Sequence, residues 1–433
     1  MPKLALHWQI LIALGLAVVA GLLSGETAGL FGITFYQAYA FIGTLFLNAL
    51  KMIIVPLIVS SIIVGVAGVG GTHGLGRLGG KTLLYYLTTS LLAILVGLAL
   101  VNLLAPGIID GEPAKAVLGL SEDKAAEAAA KVEGRGAGDL AGVFLSMLPP
   151  NIVAAAANGQ MLGLIVFSIL VGFFVSRVEE AYAEAQYNFW QGLYQVMMRI
   201  TELVMRFAPL GVFALVAKVV AGLEAEGLDE AARSLGTFAL SVLLALAAHT
   251  FITLPLLLYF IGRVKPQRQY QAMAPAMLTA FSTASSSATL PLTLECVEKN
   301  AKVSNRTASF VLPLGATVNM DGTALYECVA AMFIAQAYGI ELGFATQFTI
   351  VVVALLTSIG VAGVPAASLV AITIILATIG LPAEALGLIL AVDRILDMFR
   401  TSVNVFSDSC GAVIIARTEG EEGVLGEERA WAN

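Results

Sequence analysis

Long apolar stretches separated by short polar segments dominate the first part of the chain. Six of them lie before residue 265, at residues 9–23, 41–70, 83–105, 161–175, 207–221 and 236–262. A helix needs about 20 apolar residues to cross the hydrocarbon core of a bilayer, which is about 30 Å thick. The pattern therefore predicts six membrane-spanning helices in this part of the chain.

After residue 265 the apolar segments are interrupted in the middle by polar and glycine-rich breaks. The first break, at residues 285–291, has basic residues on both flanks, whereas the second, at residues 358–365, has no Lys or Arg in its flanks at 338–345 and 380–387. Because Lys and Arg mark the cytoplasmic side of short loops, the two segments enter the bilayer from opposite sides without crossing it. We therefore expect two re-entrant helical hairpins related by an inverted repeat.

The composition is that of a protein embedded in lipid. Hydrophobic residues make up 58% of the chain and charged residues only 12%, compared with about 25% charged residues in soluble proteins. The distribution of Lys and Arg puts both termini in the cytoplasm and the long polar insert at residues 107–145 outside. The first apolar stretch is interpreted as a retained anchor, because no small-residue cleavage site follows it. The sequence contains no nucleotide-binding motif, so ion gradients must drive any transport.

The cysteines and histidines do not form a recognisable metal or disulfide motif. The cysteines occur singly in apolar stretches, at Cys296, Cys328 and Cys410. Neither a zinc site nor a disulfide framework is therefore expected. The histidines are far apart in the sequence, at His7, His73 and His249. We interpret each histidine as an isolated polar residue.

The last apolar segment carries a stripe of charged and amide side chains. Its members lie at relative positions 0, 4, 7, 11 and 15, namely Asp393, Asp397, Arg400, Asn404 and Asp408. At about 100° per residue they fall within roughly 80° of one another on one helix face. Charged side chains in the bilayer are costly, so such a stripe is by default a functional site that faces the protein interior.

Arg400 is the central residue of this stripe. Its guanidinium can bind a carboxylate through two hydrogen bonds, and Asp397, one turn away, can accept hydrogen bonds from an ammonium group. An amino acid with a second acid group needs both partners. The alternative is that Asp397 and Arg400 only neutralise each other as a structural pair. Arg394 lies off the stripe, and its position is as compatible with a packing role as with a site role.

A second polar break, at residues 315–323, interrupts another apolar helix. Carboxylates at Asp321 and Asp408 and amide oxygens at Asn319 and Asn404 are ligands that hard cations prefer. We therefore expect compact sodium sites there. A purely structural role for this break is the alternative.

Glu327 follows the second break and has no basic neighbour in the sequence. Burial disfavours the charged form of a carboxyl group. Glu327 is therefore a candidate proton carrier.

Four motifs occur in order along nearly the whole chain. They are Ser-Ser-Ser-Ala-Thr-Leu-Pro at residues 285–291, Asn-Met-Asp-Gly-Thr at 319–323, Ser-Ile-Gly-Val-Ala-Gly-Val-Pro at 358–365, and Asp-Met-Phe-Arg-Thr at 397–401 followed by Asn404 and Asp408. This set resembles the dicarboxylate/amino acid:cation symporters. That family includes the archaeal aspartate transporters and the animal excitatory amino acid transporters.

The resemblance implies an all-α polytopic membrane protein of the glutamate-transporter fold, with eight transmembrane helices, two re-entrant helical hairpins and inverted repeats. It also implies a homotrimer in which a transport domain moves like an elevator against a static scaffold. The expected division is scaffold at 1–75, transport helix at 76–106, external loop at 107–148, scaffold at 149–222, transport domain at 223–418 and cytoplasmic tail at 419–433. A multi-pass protein of the cell inner membrane that contacts lipid and no nucleic acid is expected.

The resemblance also implies a substrate pocket and sodium sites. The side-chain carboxylate of the substrate is expected on Arg400, its amino group on Asp397, and its main-chain carboxylate near Asn404 and the backbone at Ser286. The full set of implied pocket residues is Ser286, Thr323, Val364, Asp397, Arg400, Thr401 and Asn404. The implied sodium ligands are Tyr86, Thr89, Ser90, Asn319, Asp321, Asn404 and Asp408, with carbonyl groups at or around Gly315, Thr317, Ser358, Ile359 and Val361.

This chain differs from members of the family that it resembles at two places. One is the arginine that these members carry near Asp397, and the other is position 327, which bears on proton coupling. Archaeal members carry an arginine just before the serine triplet, where this chain has Ala284, and animal members carry one at the position of Met398. Arg394, one turn earlier, is a candidate substitute. At the position of Glu327, archaeal sodium-coupled members have glutamine, whereas animal and many bacterial members that also move a proton have glutamate.

We therefore predict a secondary active symporter for L-glutamate or L-aspartate, coupled to sodium and a proton, with no cofactor and no enzymatic activity. Carriers of neutral amino acids or C4-dicarboxylates with the same fold are the alternatives, and the Asp-Met-Phe-Arg run at 397–400 argues against both. An intramembrane aspartyl protease would need two aspartates on facing helices without a stripe of Arg and Asn between them, which is not the pattern at residues 393–408. A channel would need a symmetric pore motif, and the sequence shows none. The sequence leaves the choice between aspartate and glutamate open.

Overall fold

The computed structural model is almost entirely helical in the part of the chain that it describes. Described are residues 6–70, 76–114, 145, 147–158, 160–222, 225–340, 342–360, 367–382 and 385–426. The helices are, in chain order, α1 (Leu6–Ser24), α2 (Phe35–Gly70), α3 (Gly76–Leu104), α4 (Ile152–Ala157), α5 (Met161–Val175), α6 (Glu180–Arg206), α7 (Ala208–Ala221), α8 (Ala225–Ala248), α9 (Pro266–Thr283), α10 (Ser286–Glu295), α11 (Asn305–Val318), α12 (Asp321–Ala337), α13 (Phe344–Gly360), α14 (Ala367–Ile379) and α15 (Leu386–Thr418).

Two short antiparallel hairpins lie between these helices. They are formed by β1 (Gly29–Leu30) with β2 (Ile33–Thr34) and by β3 (Ile108–Ile109) with β4 (Glu112–Pro113). The second hairpin opens the segment predicted as an external loop. Most of that loop, at residues 115–144, lies outside the described residues, as does the end of the chain at 427–433.

Each of the six predicted apolar stretches lies on a helix to within one residue, the last of them on α8 and its continuation. Among the described residues, Arg77–Leu104 and Asp229–Gly262 are long and apolar enough to cross a membrane. Glu180–Val204 and Ala208–Ala221, which meet at a bend of 55°, form a third such span if they are counted together. The structure is thus mostly helical with long apolar helices, in agreement with the predicted all-α class.

The continuation of α8 is irregular. Beyond Ala248 the chain runs through a π-helical turn, His249–Thr253, a short α-helical segment, Leu254–Leu257, and a second π-helical turn, Leu258–Gly262. Such turns are rare inside helices and often occur at functional sites. The first of them carries His249, which is fully buried.

The helices pack in two groups. In one group α1 lies against α7, and α2 lies against α5, α6 and α7. In the other group α3 lies against α8 and α12, and α15 lies against α9, α11 and α12. Helix α12 is at the centre of the second group, because every one of its residues except Gln336 is buried.

Helix breaks occur at two of the positions that the sequence predicts. Between α9 and α10, Ala284 takes a left-handed conformation with φ of 48°, and the Ser285 hydroxyl then caps α10 by accepting the Ala288 N–H at 3.2 Å. Between α11 and α12, Asn319 and Met320 leave the helical conformation, with ψ of 96° and 62°. The third break falls after the end of α13, and residues 361–366 lie outside the described part of the chain.

Candidate functional site

Helix α15 places the predicted stripe inside the protein. Asp393, Arg400, Asn404 and Asp408 are buried, and 13% of the Asp397 side chain is exposed. Because α9, α11 and α12 all pack against α15, the stripe faces other helices. The structure therefore agrees with the predicted orientation of this face.

Arg400 is fully buried and bridges two carboxylates. Its Nη2 donates to Asp393 Oδ1 at 3.1 Å and to Asp397 Oδ1 at 2.9 Å. Its Cζ lies 3.8 Å from the centroid of the Tyr326 ring, which is a cation–π contact. Nε and Nη1 have no hydrogen-bond partner among the described residues. A carboxylate is the group that best matches such donors on a guanidinium.

Arg394 is in direct contact with the stripe. This residue is only 8% exposed, and its Nη1 donates to Asp397 Oδ2 at 2.8 Å. Because Arg400 holds Oδ1, each carboxylate oxygen of Asp397 has its own arginine. The sequence left a packing role for Arg394 open, and the structure places its guanidinium at the site.

The break between α11 and α12 brings polar side chains from three helices together. Asp321 is the first residue of α12 and is fully buried. Its carboxylate accepts a hydrogen bond from Ser90 of α3 at 2.7 Å and another from Ser407 of α15. Asn319 Nδ2 donates to Asp408 Oδ1 at 2.9 Å. These are the carboxylate and amide groups that the sequence predicts as cation ligands.

Helix α3 supplies hydroxyl groups to the same cluster. The hydroxyl oxygens of Thr89 and Ser90 each lie 3.4 Å from Asn319 Oδ1. The hydroxyl group of Tyr86 donates to the carbonyl of Val311 on α11 at 2.6 Å. One buried region therefore contains the predicted ligands Tyr86, Thr89, Ser90, Asn319, Asp321 and Asp408.

Gly315 allows this region to be compact. A Cβ at this position would lie 2.5 Å from Asp408 Oδ1 and 2.8 Å from the Tyr86 hydroxyl oxygen. The Gly315 carbonyl accepts the Asn319 N–H at 2.9 Å, which leaves its second lone pair available. Carboxylate, amide, hydroxyl and carbonyl oxygens at close quarters are the donor set that suits a hard cation such as sodium.

His249 belongs to this cluster, although no role was predicted for it from the sequence. Its Nε2 lies 3.1 Å from Asp321 Oδ2, and both side chains are fully buried. Its Nδ1 has no hydrogen-bond partner among the described residues. The interpretation of His249 as an isolated polar residue is therefore wrong. The available signal was a histidine inside a long apolar helix, where ionisable side chains usually have a function.

Four other predicted pocket residues are also buried, namely Ser286 of α10, Thr323 of α12, and Thr401 and Asn404 of α15. Asn404 joins two helices, because its Oδ1 accepts the Gly322 N–H at 2.8 Å and its Nδ2 donates to Thr323 Oγ1 at 3.2 Å. The Thr401 hydroxyl donates to the Asp397 carbonyl of its own helix at 2.8 Å. Ser286 begins α10 and is 5% exposed.

Glu327 lies on α12 next to Tyr326, the residue whose ring contacts Arg400. It is fully buried, and its Oε2 accepts a hydrogen bond from Thr357 of α13 at 2.9 Å. Its Oε1 has no partner among the described residues. A carboxyl group with one unpaired buried oxygen is suited to hold a proton.

Some predicted residues cannot be placed in the site. Val361 and Val364 lie outside the described residues, and the side chains of Thr317 and Ile359 are outside them as well. Ser358 is buried, and its hydroxyl donates to the Leu355 carbonyl of its own helix at 2.8 Å. Their predicted roles as cation or substrate ligands stay predictions.

The buried guanidinium, the paired carboxylates and the cluster of oxygen ligands lie between apolar helices, where buried ionisable groups usually mark a substrate or ion pathway. Residues 6–418 match the family model described as the sodium:dicarboxylate symporter family. The chain belongs to that family.

Proteins of this family from bacteria and animals are similar over almost the whole chain. The proton/glutamate-aspartate symporter of Escherichia coli (strain K12) is 36% identical over 96% of this chain and 93% of its own length. The proton/sodium-glutamate symport protein of Geobacillus stearothermophilus is 35% identical over 97% of this chain and 96% of its own. Human excitatory amino acid transporter 3 is 37% identical over 96% of this chain and 86% of its own. Cation-coupled symport of glutamate or aspartate across a membrane is thus the activity of the family.

Proposed function

We propose that this chain imports L-aspartate or L-glutamate together with sodium ions and a proton. The observation that carries the proposal is Arg400, a fully buried guanidinium with two nitrogens that have no partner among the described residues. A buried cation with unused donors is costly unless an anionic group completes its coordination. The relatives that are symporters of glutamate and aspartate support the same choice of cargo.

The cargo is held through its charged groups. Its side-chain carboxylate takes the free donors of Arg400, and its ammonium group takes Asp397. Its main-chain carboxylate lies near Asn404 and the start of α10 at Ser286. The hydroxyl groups of Thr323 and Thr401 and the segment around Val364 complete the pocket. For the Asp397 carboxylate to receive the ammonium, Arg400 must turn its donors from Asp397 towards the cargo.

Sodium ions bind in the oxygen cluster beneath the pocket. The ligands of α3 are Tyr86, Thr89 and Ser90, and those of the other helices are Gly315, Thr317, Asn319, Asp321, Ser358, Ile359, Val361, Asn404 and Asp408. Support comes from the buried hydrogen bonds that already join Asn319 to Asp408 and Ser90 to Asp321. Glu327 carries the proton, for which its unpaired Oε1 is suited.

The division of the molecule follows the two packing groups. Residues 1–75 and 149–222 form the scaffold, whereas residues 76–106 and 223–418 form a transport domain that moves like an elevator. Helix pairs α9–α10 and α13–α14 are the two re-entrant hairpins, with eight spanning helices around them. Contacts within each pair support this assignment, as does the left-handed Ala284 between α9 and α10.

The protein is a homotrimer in the cell inner membrane with both termini in the cytoplasm. Helix α6 leaves a stripe of exposed apolar side chains at seven-residue spacing, formed by Tyr182, Phe189, Val196 and Leu203. Seven-residue spacing suits contact with a helix of another protomer. The stripe therefore supports an assembly through the scaffold.

The test is uptake by proteoliposomes that contain the purified protein and have an inward sodium gradient. We expect labelled aspartate or glutamate to accumulate, and neutral amino acids and succinate to compete poorly. Arg400→Leu is expected to lower the affinity for acidic cargo by at least about a hundredfold, because two charge-assisted hydrogen bonds are lost. Arg199→Leu, which alters an exposed ion pair on α6, is the matched control. Native affinity for acidic cargo in Arg400→Leu, or a preference of the wild type for neutral amino acids or succinate, would overturn the proposal.

A further inference from the structure

Arg394 is the second buried guanidinium of α15, and the proposed function gives it no task. Its side chain is 9% exposed, and its contact with Asp397 is the one ion pair found for it in the described part of the chain. Along the helix, Arg394 and Arg400 each lie three residues from Asp397. At about 100° per residue they stand about 60° to either side of it. Asp397 is therefore flanked by two cations.

The formal charges of this group cancel. Asp393 and Asp397 supply two negative charges, and Arg394 and Arg400 supply two positive charges. Without Arg394, one guanidinium would serve two carboxylates, and the group would carry a net negative charge inside the protein. An acidic amino acid, which has a net charge of −1, would then enter a site that repels it.

Arg394 also weakens the electrostatic attraction between Asp397 and Arg400. The Nη2 of Arg400 is shared between Asp393 and Asp397, at 3.1 and 2.9 Å. A carboxylate that is already neutralised at Oδ2 by Arg394 attracts Arg400 less strongly. Arg400 can then turn its donors towards an incoming carboxylate while Asp397 remains ionised.

We propose that Arg394 is a positioning residue that neutralises Asp397, frees Arg400 for the cargo carboxylate, and so sets the selectivity for acidic over neutral amino acids. This inference rests on the proposed roles of Asp397 and Arg400. It assigns Arg394 a site function that is distinct from packing.

The experiment compares aspartate with asparagine, its neutral isostere, in Arg394→Gln and Arg394→Lys. Dissociation constants are measured on the purified protein at saturating sodium, for asparagine by competition against labelled aspartate. Arg394→Gln is expected to reduce the preference for aspartate by at least about tenfold. That is the effect of removing one positive charge at roughly 10 Å from the carboxylate of the cargo, with an effective dielectric constant of about 20. Arg394→Lys keeps the charge and is expected to retain most of the preference.

The outcomes separate this inference from the proposed function. The ammonium group is common to both ligands, so a packing defect weakens both equally, and such a result would overturn the role of Arg394. An unchanged preference for aspartate over asparagine in Arg394→Gln would also overturn the role of Arg394. The matched control is Arg199→Gln, which should keep the wild-type preference. If Arg394→Gln does not fold, a folded Arg394→Lys that has lost the preference counts against the inference. A wild-type protein that does not prefer aspartate to asparagine would refute the proposed function itself.

Discussion

Arg400 combines a high cost of burial with a geometry that suits an anionic ligand. Its pairs with Asp393 and Asp397 offset part of the cost of removing a guanidinium from water. The nitrogens Nε and Nη1 are left with no partner among the described residues, and each unpaired buried donor costs about 1–3 kcal/mol. A bound carboxylate would remove this deficit, and this is the physical basis of the acidic cargo that we propose.

Glu327 provides the first prediction. Glu327→Gln keeps the size of the side chain and an oxygen that can accept from Thr357, but it cannot carry a proton. With one coupled proton, a pH gradient of one unit, alkaline inside, raises the accumulation of cargo up to about tenfold. We expect the wild type to show this response and Glu327→Gln to lose it, while sodium-driven exchange of aspartate is kept. Uptake into proteoliposomes at a fixed sodium gradient measures the difference.

The control for this prediction is Glu202→Gln, an exposed carboxyl group on α6 that pairs with Arg199. It should respond to the pH gradient as the wild type does. A full response in Glu327→Gln would show that another group carries the proton or that no proton is coupled.

The contact of Asp397 with Arg400 within one helix was predictable, whereas the contact of His249 with another helix was not. The pairing of Asp397 with Arg400 follows from a spacing of three residues on α15, which the sequence displays directly. The contact of His249 with Asp321 joins residues 72 positions apart. It exists because α8 packs beside α12, and a single sequence does not encode that packing in a visible pattern.

At the scale of elements, the interruption between α11 and α12 is shorter than the predicted polar segment at 315–323. Only Asn319 and Met320 leave the helical conformation, because the Asn319 N–H still closes the last turn on the Gly315 carbonyl. The polar composition identified the break, but hydrogen bonding sets its length. Asp321 then begins α12, where a negative charge is favoured by the helix dipole.

Gly315 provides the second prediction, because α11 approaches α3 and α15 closely there. In Gly315→Ala the new methyl group would lie 2.5 Å from Asp408 Oδ1, so the carboxylate must move. We expect the sodium concentration needed for half-maximal aspartate binding to rise at least about tenfold, as expected for a displaced charged ligand. Titration calorimetry at a series of sodium concentrations measures this shift.

Gly236→Ala is the matched control, since Gly236 lies within α8 and a Cβ there meets no atom within 4 Å. It should bind sodium as the wild type does, and should be more stable by up to about 1 kcal/mol, because alanine favours a helix interior. Equal sodium dependence in both variants would contradict the close approach at Gly315.

At the scale of the whole molecule, the apolar stretches predicted six of the eight helices α1–α8 described before residue 265, but neither the short α4 nor the long α6. Helix α6 has 27 residues and carries polar groups such as Glu184, Gln191 and Glu202 on one face. It is amphipathic, so a search for continuous apolar runs does not find it. Its apolar side packs along α2, and the chain then continues into α7 at a bend of 55°. The predicted stretch at 207–221 was therefore only the second part of a longer bent unit.

The segment that follows α15, residues 419–426, is tied to helices that are far away in sequence. Glu419, which follows α15, accepts a hydrogen bond from Arg77 at 2.7 Å and pairs with Lys81 on α3. Two residues on, Glu421 accepts from the Ser304 N–H at 2.8 Å and so caps the start of α11. Arg268 of α9 donates to the Leu425 carbonyl at 2.6 Å. These contacts join the start of α3 to the other helices of its packing group.

Glu419 provides the third prediction, which concerns pH. The hydrogen bonds from Arg77 and then Lys81 lower the pKa of Glu419 below its usual value. A carboxyl group with a lowered pKa contributes stability that is complete above its unfolded pKa of about 4.3 and is lost as the pH falls through the folded pKa. We expect Glu419→Gln to unfold about 1–3 °C below the wild type at pH 7, as for a partly exposed ion pair. Thermal unfolding in detergent measures the difference.

The same comparison in acid decides whether the ion pairs are responsible. As the pH is lowered through the folded pKa of Glu419, the wild type loses the charge that Glu419→Gln already lacks. The two unfolding curves should therefore converge, whereas other carboxyl groups shift both proteins equally and cancel. Glu202→Gln should show a smaller difference at pH 7, because Arg199 and Glu202 are 82% and 49% exposed and are screened by water. A difference for Glu419→Gln that stays constant with pH would mean that the packing of Glu419, and not its charge, holds the segment after α15 on α3.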